Sequence, residues 1–117
     1  MEKIVEQGLL YDFYGELLTE HQRNIYEDAV YNDMSLAEIA EQYGISRQGV
    51  HDLIKRCNKL LVGYEEKLQL VKKFTEAKKT ITKIDTLAEE GKELPEEECR
   101  KHLDSIRKLT AELMENF

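Results

Sequence analysis

The stretch from Ser35 to Arg56, SLAEIAEQYGISRQGVHDLIKR, constrains the fold more than any other part of the chain. It reads as two helices joined by a tight turn. Ser35 is placed to cap the first helix, and Glu38 three residues later completes an S-x-x-E capping box. Ile39, Ala40 and Tyr43 then repeat at helical spacing, and Gly44 stops the helix where a left-handed residue costs least. Ile45 fills the corner. Ser46 caps the second helix, whose inner face carries Val50, Leu53, Ile54 and Cys57. Small Ala40 permits a close helix crossing. The spacing predicts a helix-turn-helix, and its second helix turns Arg47, Gln48, His51, Lys55 and Arg56 outward. These residue types reach phosphates and base edges in a major groove.

The flanking sequence extends the helical pattern in both directions. Residues 3 to 18 form a predicted first helix with Ile4, Val5, Leu9, Leu10, Phe13, Tyr14, Leu17 and Leu18 apolar, a face too broad for one packing partner. Thr19 and Gln22 make a second capping box, opening a helix that buries Ile25, Tyr26, Ala29 and Val30 and ends near Asn32 or Asp33. Downstream of Ser46 the periodicity continues to Gly91 through Leu60, Tyr64, Leu68, Val71, Phe74, Ile81, Ile84 and Ala88, at nearly heptad spacing. A bend or interruption is expected near Gly63, the one weak point in that run. Residues 89 to 94 read as a loop. Pro95 belongs in the first turn of a last helix, where Glu96, Glu97 and Glu98 favour the positive helix end. That helix should bury Cys99, Leu103, Ile106, Leu109 or Thr110, Leu113 and Phe117.

The architecture expected is therefore all-α. Residues 1–62 form a helix-turn-helix domain, and residues 63–117 an antiparallel helical hairpin suited to dimerisation or partner binding. Leu60, Leu61, Phe74 and Phe117 offer more apolar surface than one hairpin consumes, so a homodimer is expected.

Charge qualifies the functional reading. The net charge is −7, which argues against binding a polyanion through bulk charge alone. Its distribution is uneven. Residues 1–34 hold two basic and eight acidic groups, whereas Ser46 to Val62 holds Arg47, Lys55, Arg56 and Lys59 against Asp52 alone. A locally cationic helix on an acidic body suits selective nucleic-acid contact. The candidate contact set is Ser46, Arg47, Gln48, His51, Lys55, Arg56 and Lys59. Arg47, Gln48 and His51 would face base edges, Lys55, Arg56 and Lys59 would hold phosphates, and the helix start at Ser46 would offer free N–H groups. Lys72, Lys79 and Lys83, with Lys73 and Lys78 beside them, fit a solvated face better than a second polyanion stripe.

Chemistry of other kinds is not indicated. The glycines form no phosphate-cradling loop, and His21, His51 and His102 lack the spacing of metal ligands. No catalytic role, metal or cofactor is expected. Cys57 and Cys99 fall on apolar faces and read as reduced, buried, structural residues. With no secretory signal after Met1 and no membrane-length apolar run, a cytoplasmic location is expected.

These motifs resemble known families. Residues 19–62 are similar to region 4 of bacterial sigma factors, the part that reads promoters. The chain departs from them in having no other promoter-reading region and an acidic first helix. The closer resemblance is to the YlxM family of small helix-turn-helix proteins, in which LLYDFYGELLT (residues 9–19), SLAEIAEQYGISRQGVHDLIKR and a helical tail recur in this order. Members are typically encoded beside the GTPase of the signal recognition particle. The resemblance implies a bacterial regulator connected with that pathway, with DNA or RNA as partner. The alternative it leaves is an adaptor that binds the particle's GTPase or its RNA, using the acidic N-terminal segment and the hairpin.

Overall fold

A computed structural model describes residues 3–117, with side chains from Val5 onward; the first-helix position Ile4 lies outside the described side chains. Six α-helices and one short 3-10 turn account for the ordered backbone, and no strand occurs among the described residues. They are Lys3–Tyr14 (α1), Glu20–Val30 (α2), Leu36–Tyr43 (α3), Arg47–Leu68 (α4), Leu70–Gly91 (α5) and Glu96–Asn116 (α6), with the 3-10 turn Gly15–Leu17 after α1. The all-α expectation holds. The chain divides into two compact units, Met1–Val71 and Lys72–Phe117.

In the first unit the local signals act as the sequence indicates. Thr19 and Ser35 each accept from the backbone N–H three residues on, while Gln22 and Glu38 reach back to the capping residue. Both capping boxes are complete, so two of the orphan donors at the start of each of α2 and α3 are satisfied by side chains. Gly44 ends α3 at φ +67°, ψ +33°, the left-handed conformation that favours glycine.

Two apolar clusters meet across α4. One gathers Leu10, Tyr14, Leu18, Tyr26, Cys57 and Leu61, and the other Ile25, Ile39, Ala40 and Val50. Leu53 and Ile54, both half-buried, pack against each cluster and join them. The broad apolar face of α1 is explained by this arrangement, because α1 packs on both α2 and α4. Its outer members do not all contribute. Val5 and Leu17 are exposed, and a 3-10 turn replaces the last α-helical turn expected up to residue 18.

Further along, several sequence expectations are corrected. Helix α4 passes through Gly63 without a break and ends five residues later at Leu68; the interruption is Gln69, left-handed at φ +55°. A helical glycine costs only about 1 kcal/mol, which the buried neighbours Cys57 and Leu61 offset. Glu89 and Glu90 belong to α5 rather than to a loop, and Pro95 occupies the N-cap position of α6, one place before its first turn. Leu60 and Leu61 are consumed by the first unit's core and offer no surplus surface.

The second unit, α5 and α6, has no fully buried residue. Beyond Val71 and Thr75 near its start, the half-buried positions of α5 are Ala77, Thr80, Ile84, Leu87 and Gly91, and those of α6 are Cys99, His102, Ile106, Leu109 and Leu113. The alternating three-and-four spacing is that of a helix–helix seam. Near the turn, His102 Nε2 lies 3.4 Å from Glu90. Leu103 and Phe117, expected on the buried face, are exposed, as are Phe74 and Ile81; His102 takes the inner position instead. Cys57 is fully buried, but Cys99 is only half-buried, so the expectation of two buried cysteines holds for the first alone.

Candidate nucleic-acid interface

Helix α4 supports the candidate site from beneath. Val50, Cys57 and Leu61 are fully buried and fix its rotation about its own axis. With that rotation set, Ser46, Arg47, Gln48, His51, Lys55, Arg56 and Lys59 all lie exposed. The structure brings the six from Arg47 to Lys59 together on the outer side of one 22-residue helix, with Ser46 at its N-cap. Arg47, His51, Lys55 and Lys59 follow one another at intervals of four, and Gln48 and Arg56 lie beside them, so the row tracks the helix axis.

The helix start is organised by Ser46. Its hydroxyl accepts the Gly49 N–H at 2.9 Å, and its carbonyl accepts the Val50 N–H at 3.0 Å. The N–H groups of Arg47 and Gln48, in the first turn, precede any intrahelical partner and stand at the positive end of the helix. No acidic residue occupies that first turn. Ser46 thus acts through the backbone it orders, its own oxygen being engaged in the cap.

Asp52 belongs to the same face and was missed as a site residue. Gln48 Nε2 donates to Asp52 Oδ1 at 2.9 Å, and His51 Nδ1 lies 3.6 Å from the same oxygen. The sequence carried a signal for it, since Gln and Asp four residues apart on a helix face form a hydrogen-bonded pair. This carboxylate therefore orients Gln48, one of the three base-edge candidates, and stands beside His51. Its charge also opposes a phosphate at that point of the row.

Behind α4, buried tyrosines tie the supporting helices together. Tyr26 is fully buried and donates to Asn58 Oδ1 at 2.6 Å, while Gln7 donates to the same oxygen at 3.4 Å. Burial raises the Tyr26 hydroxyl to about 12, so it remains a neutral donor. Tyr43, on α3, donates to Asp28 of α2 at 2.8 Å, and that hydrogen bond raises its pKa. Burial likewise pushes the Cys57 thiol up, away from reactive thiolate. Among the described residues, no group of three or more His, Cys, Asp and Glu is placed to hold a metal. Among the described residues, no helix is long and apolar enough to cross a membrane.

The corner α3–Gly44-Ile45-Ser46–α4, with a packed inner face and a polar outer one, is the arrangement on which comparison with known proteins bears directly. Residues 1–102 match the family model described as "Putative helix-turn-helix protein, YlxM / p13 like". The chain belongs to the YlxM / p13-like family. It is 44% identical over 109 residues to the UPF0122 protein YlxM of Bacillus subtilis, covering 93% of this chain and 97% of that one. A UPF0122 protein of Desulforamulus reducens is 46% identical over 98 residues, covering 82% of this chain and 84% of its own length. A third, from Bacillus cereus, is 41% identical over 109 residues. The YlxM / p13-like match includes every candidate contact residue and extends into α6. The family is described by its helix-turn-helix rather than by a catalysed reaction.

Proposed function

We propose that this protein is a nucleic-acid-binding regulator that acts as a homodimer in the bacterial cytoplasm, reading duplex DNA with the first turns of α4. It has no catalytic role in this reading and requires no cofactor. The observation that carries it is the exposed row from Arg47 to Lys59 on a helix whose rotation is set by Val50, Cys57 and Leu61. Arg47, Gln48 and His51 are assigned to base edges. Lys55, Arg56 and Lys59 are assigned to phosphates, and the Arg47 and Gln48 N–H groups to one further phosphate. The link to the signal recognition particle rests on the family resemblance alone.

A second reading is supported by the acidic character of residues 1–34, where Asp12, Glu16, Glu20 and Glu27 are exposed. Such a surface repels nucleic acid and suits a cationic protein partner, so the chain would serve as an adaptor to the particle's GTPase, or to its RNA through α4. Selection of bound genomic fragments, with the signal recognition particle RNA as competitor, separates these readings. Recovery of a common duplex sequence that the RNA fails to displace supports the DNA reader. No enriched duplex, or displacement by equimolar RNA, supports the adaptor.

A further inference from the structure

The two helices of the second unit differ sharply between their flanks. Writing the half-buried positions as heptad a and d, Ala77, Ile84 and Gly91 are a on α5, with Thr80 and Leu87 as d. On α6, Cys99, Ile106 and Leu113 are a, and His102 and Leu109 are d. In an antiparallel pair the g positions of both helices share one flank and the e positions share the other. The molecule agrees, because Glu90 and Glu98, both g, line one groove together with Lys101 and His102.

That g flank is polar, with Glu76, Lys83 and Glu90 on α5 and Glu98, Ser105 and Glu112 on α6. The e flank is not. It carries Phe74, Ile81 and Ala88 from α5 and Leu103 and Thr110 from α6, with Phe117 just past the end of α6. Phe74 is 42% exposed, Ile81 55%, Leu103 54% and Phe117 78%, and Met114 at the adjoining b position is 75% exposed. Within Lys72–Phe117, the four large exposed apolar side chains on the helices therefore fall along one side, and exposed Phe117 follows the end of α6.

We infer that the e flank is the dimer interface, formed by two hairpins packed flank to flank into a four-helix bundle. This deepens the homodimer reading above, from which it takes the occupant. Three observations favour a second copy. The unit buries no side chain completely, so its core is unfinished without more helices. The five exposed side chains present on the order of 600 Å² per chain, close to the roughly 800 Å² each partner contributes to a standard interface. Charge also matches. Of the charged b positions bordering the stripe, Lys78 stands over the Phe74 ring and Arg100 pairs with Glu96, which leaves Asp85 and Arg107 without an ion-pair partner among the described residues. A two-fold axis along the bundle sets α5 antiparallel to the second copy's α6, and the level of Asp85 then meets the level of Arg107 across the new seam.

Sedimentation equilibrium of the full chain without nucleic acid tests this independently of DNA reading. The wild type should be a dimer at micromolar concentration. Ile81→Glu with Leu103→Glu should weaken it by about a hundredfold or more, while Lys83→Glu on the other flank should leave it unchanged. Because a hairpin deprived of its partner can lose helicity, charge reversal provides the second measurement. Asp85→Arg and Arg107→Asp should each weaken the dimer, and the combined variant should restore it. A wild type that stays monomeric at high micromolar concentration overturns the inference, as does a dimer indifferent to Ile81→Glu/Leu103→Glu. Single reversals without effect overturn the α5-to-α6 pairing. A dimer behaving as expected that selects no duplex leaves this interface standing and removes the DNA reading instead.

Discussion

Tyr14 donates its hydroxyl proton to Glu65 at 2.6 Å, across 51 residues of sequence. The same hydroxyl accepts the Leu70 N–H at 3.1 Å, and Glu65 also accepts the Val71 N–H at 3.0 Å. Together they satisfy two orphan donors in the first turn of α5, the part normally played by a local Ser, Thr or Asp. Gln69 can hold its left-handed conformation because the donors that follow it are met in this way. Tyr14→Phe should lower stability by about 1–3 kcal/mol, since it removes a buried donor and leaves the Leu70 N–H without its acceptor. Urea unfolding of the variant measures it. An unchanged midpoint would show that water replaces the hydroxyl at no cost.

Gly44 and Gly63 should respond to substitution with opposite signs. A side chain at Gly44 meets nothing within 4 Å, yet φ there is +67°, so Gly44→Val should lose about 1–3 kcal/mol through backbone strain alone. Asn tolerates this conformation and should cost less. Gly63 is mid-helix with open space around its Cβ position, and Gly63→Ala should gain about 0.5–1 kcal/mol. Thermal melts of the three variants check the order.

Alkaline pH should unfold the protein through its tyrosines. Burial, with carboxylate hydrogen bonds, raises Tyr11 and Tyr14, and burial foremost raises Tyr26 and Tyr31. A raised folded-state pKa means that the folded state holds its protons longer than the unfolded chain. This contribution is complete below pH 10 and falls as pH rises towards the Tyr26 value of about 12. Denaturant midpoints should therefore drop between about pH 10 and 12, and tyrosinate absorbance should rise together with loss of helix. Titration of Tyr26 with the helices intact would contradict the buried Tyr26–Asn58 bond.

Within the candidate interface, substitutions should divide into two classes. Arg47→Ala and Gln48→Ala should reduce discrimination between the best selected duplex and a random one, by about 1–3 kcal/mol for each good base contact. Lys55→Ala, Arg56→Ala and Lys59→Ala should weaken both duplexes equally and each flatten the salt slope by roughly 0.9. Equal effects from all five would assign the whole row to phosphates.

Asp52→Asn should act in the opposite direction on random duplex. It removes a charge that opposes phosphate and replaces the carboxylate that accepts from Gln48, so affinity for random sequence should increase while discrimination decreases. Fluorescence anisotropy with the two duplexes distinguishes this from a simple loss of fold, which lowers both affinities.

The sequence alone determined what depends on neighbours three or four residues away. The capping boxes at Thr19 and Ser35, the stop at Gly44 and the inward face of Val50 and Cys57 each follow from local bonds or helical periodicity, and with them the helix-turn-helix and the outward row on α4. Tertiary structure decided the rest. Helix α4 runs to Leu68 and breaks at Gln69 rather than at Gly63 because Tyr14 reaches Glu65 and Leu70 from another helix, and no local pattern encodes that contact. The inner face of α6 was ambiguous for a different reason. Stripes through Leu103 and Phe117 and through Ile106 and Leu113 are both apolar and both helical in period, and periodicity alone cannot rank them. Packing against α5 places His102 and Ile106 inward and leaves Leu103 and Phe117 to solvent, because two helices can bury only one stripe of each.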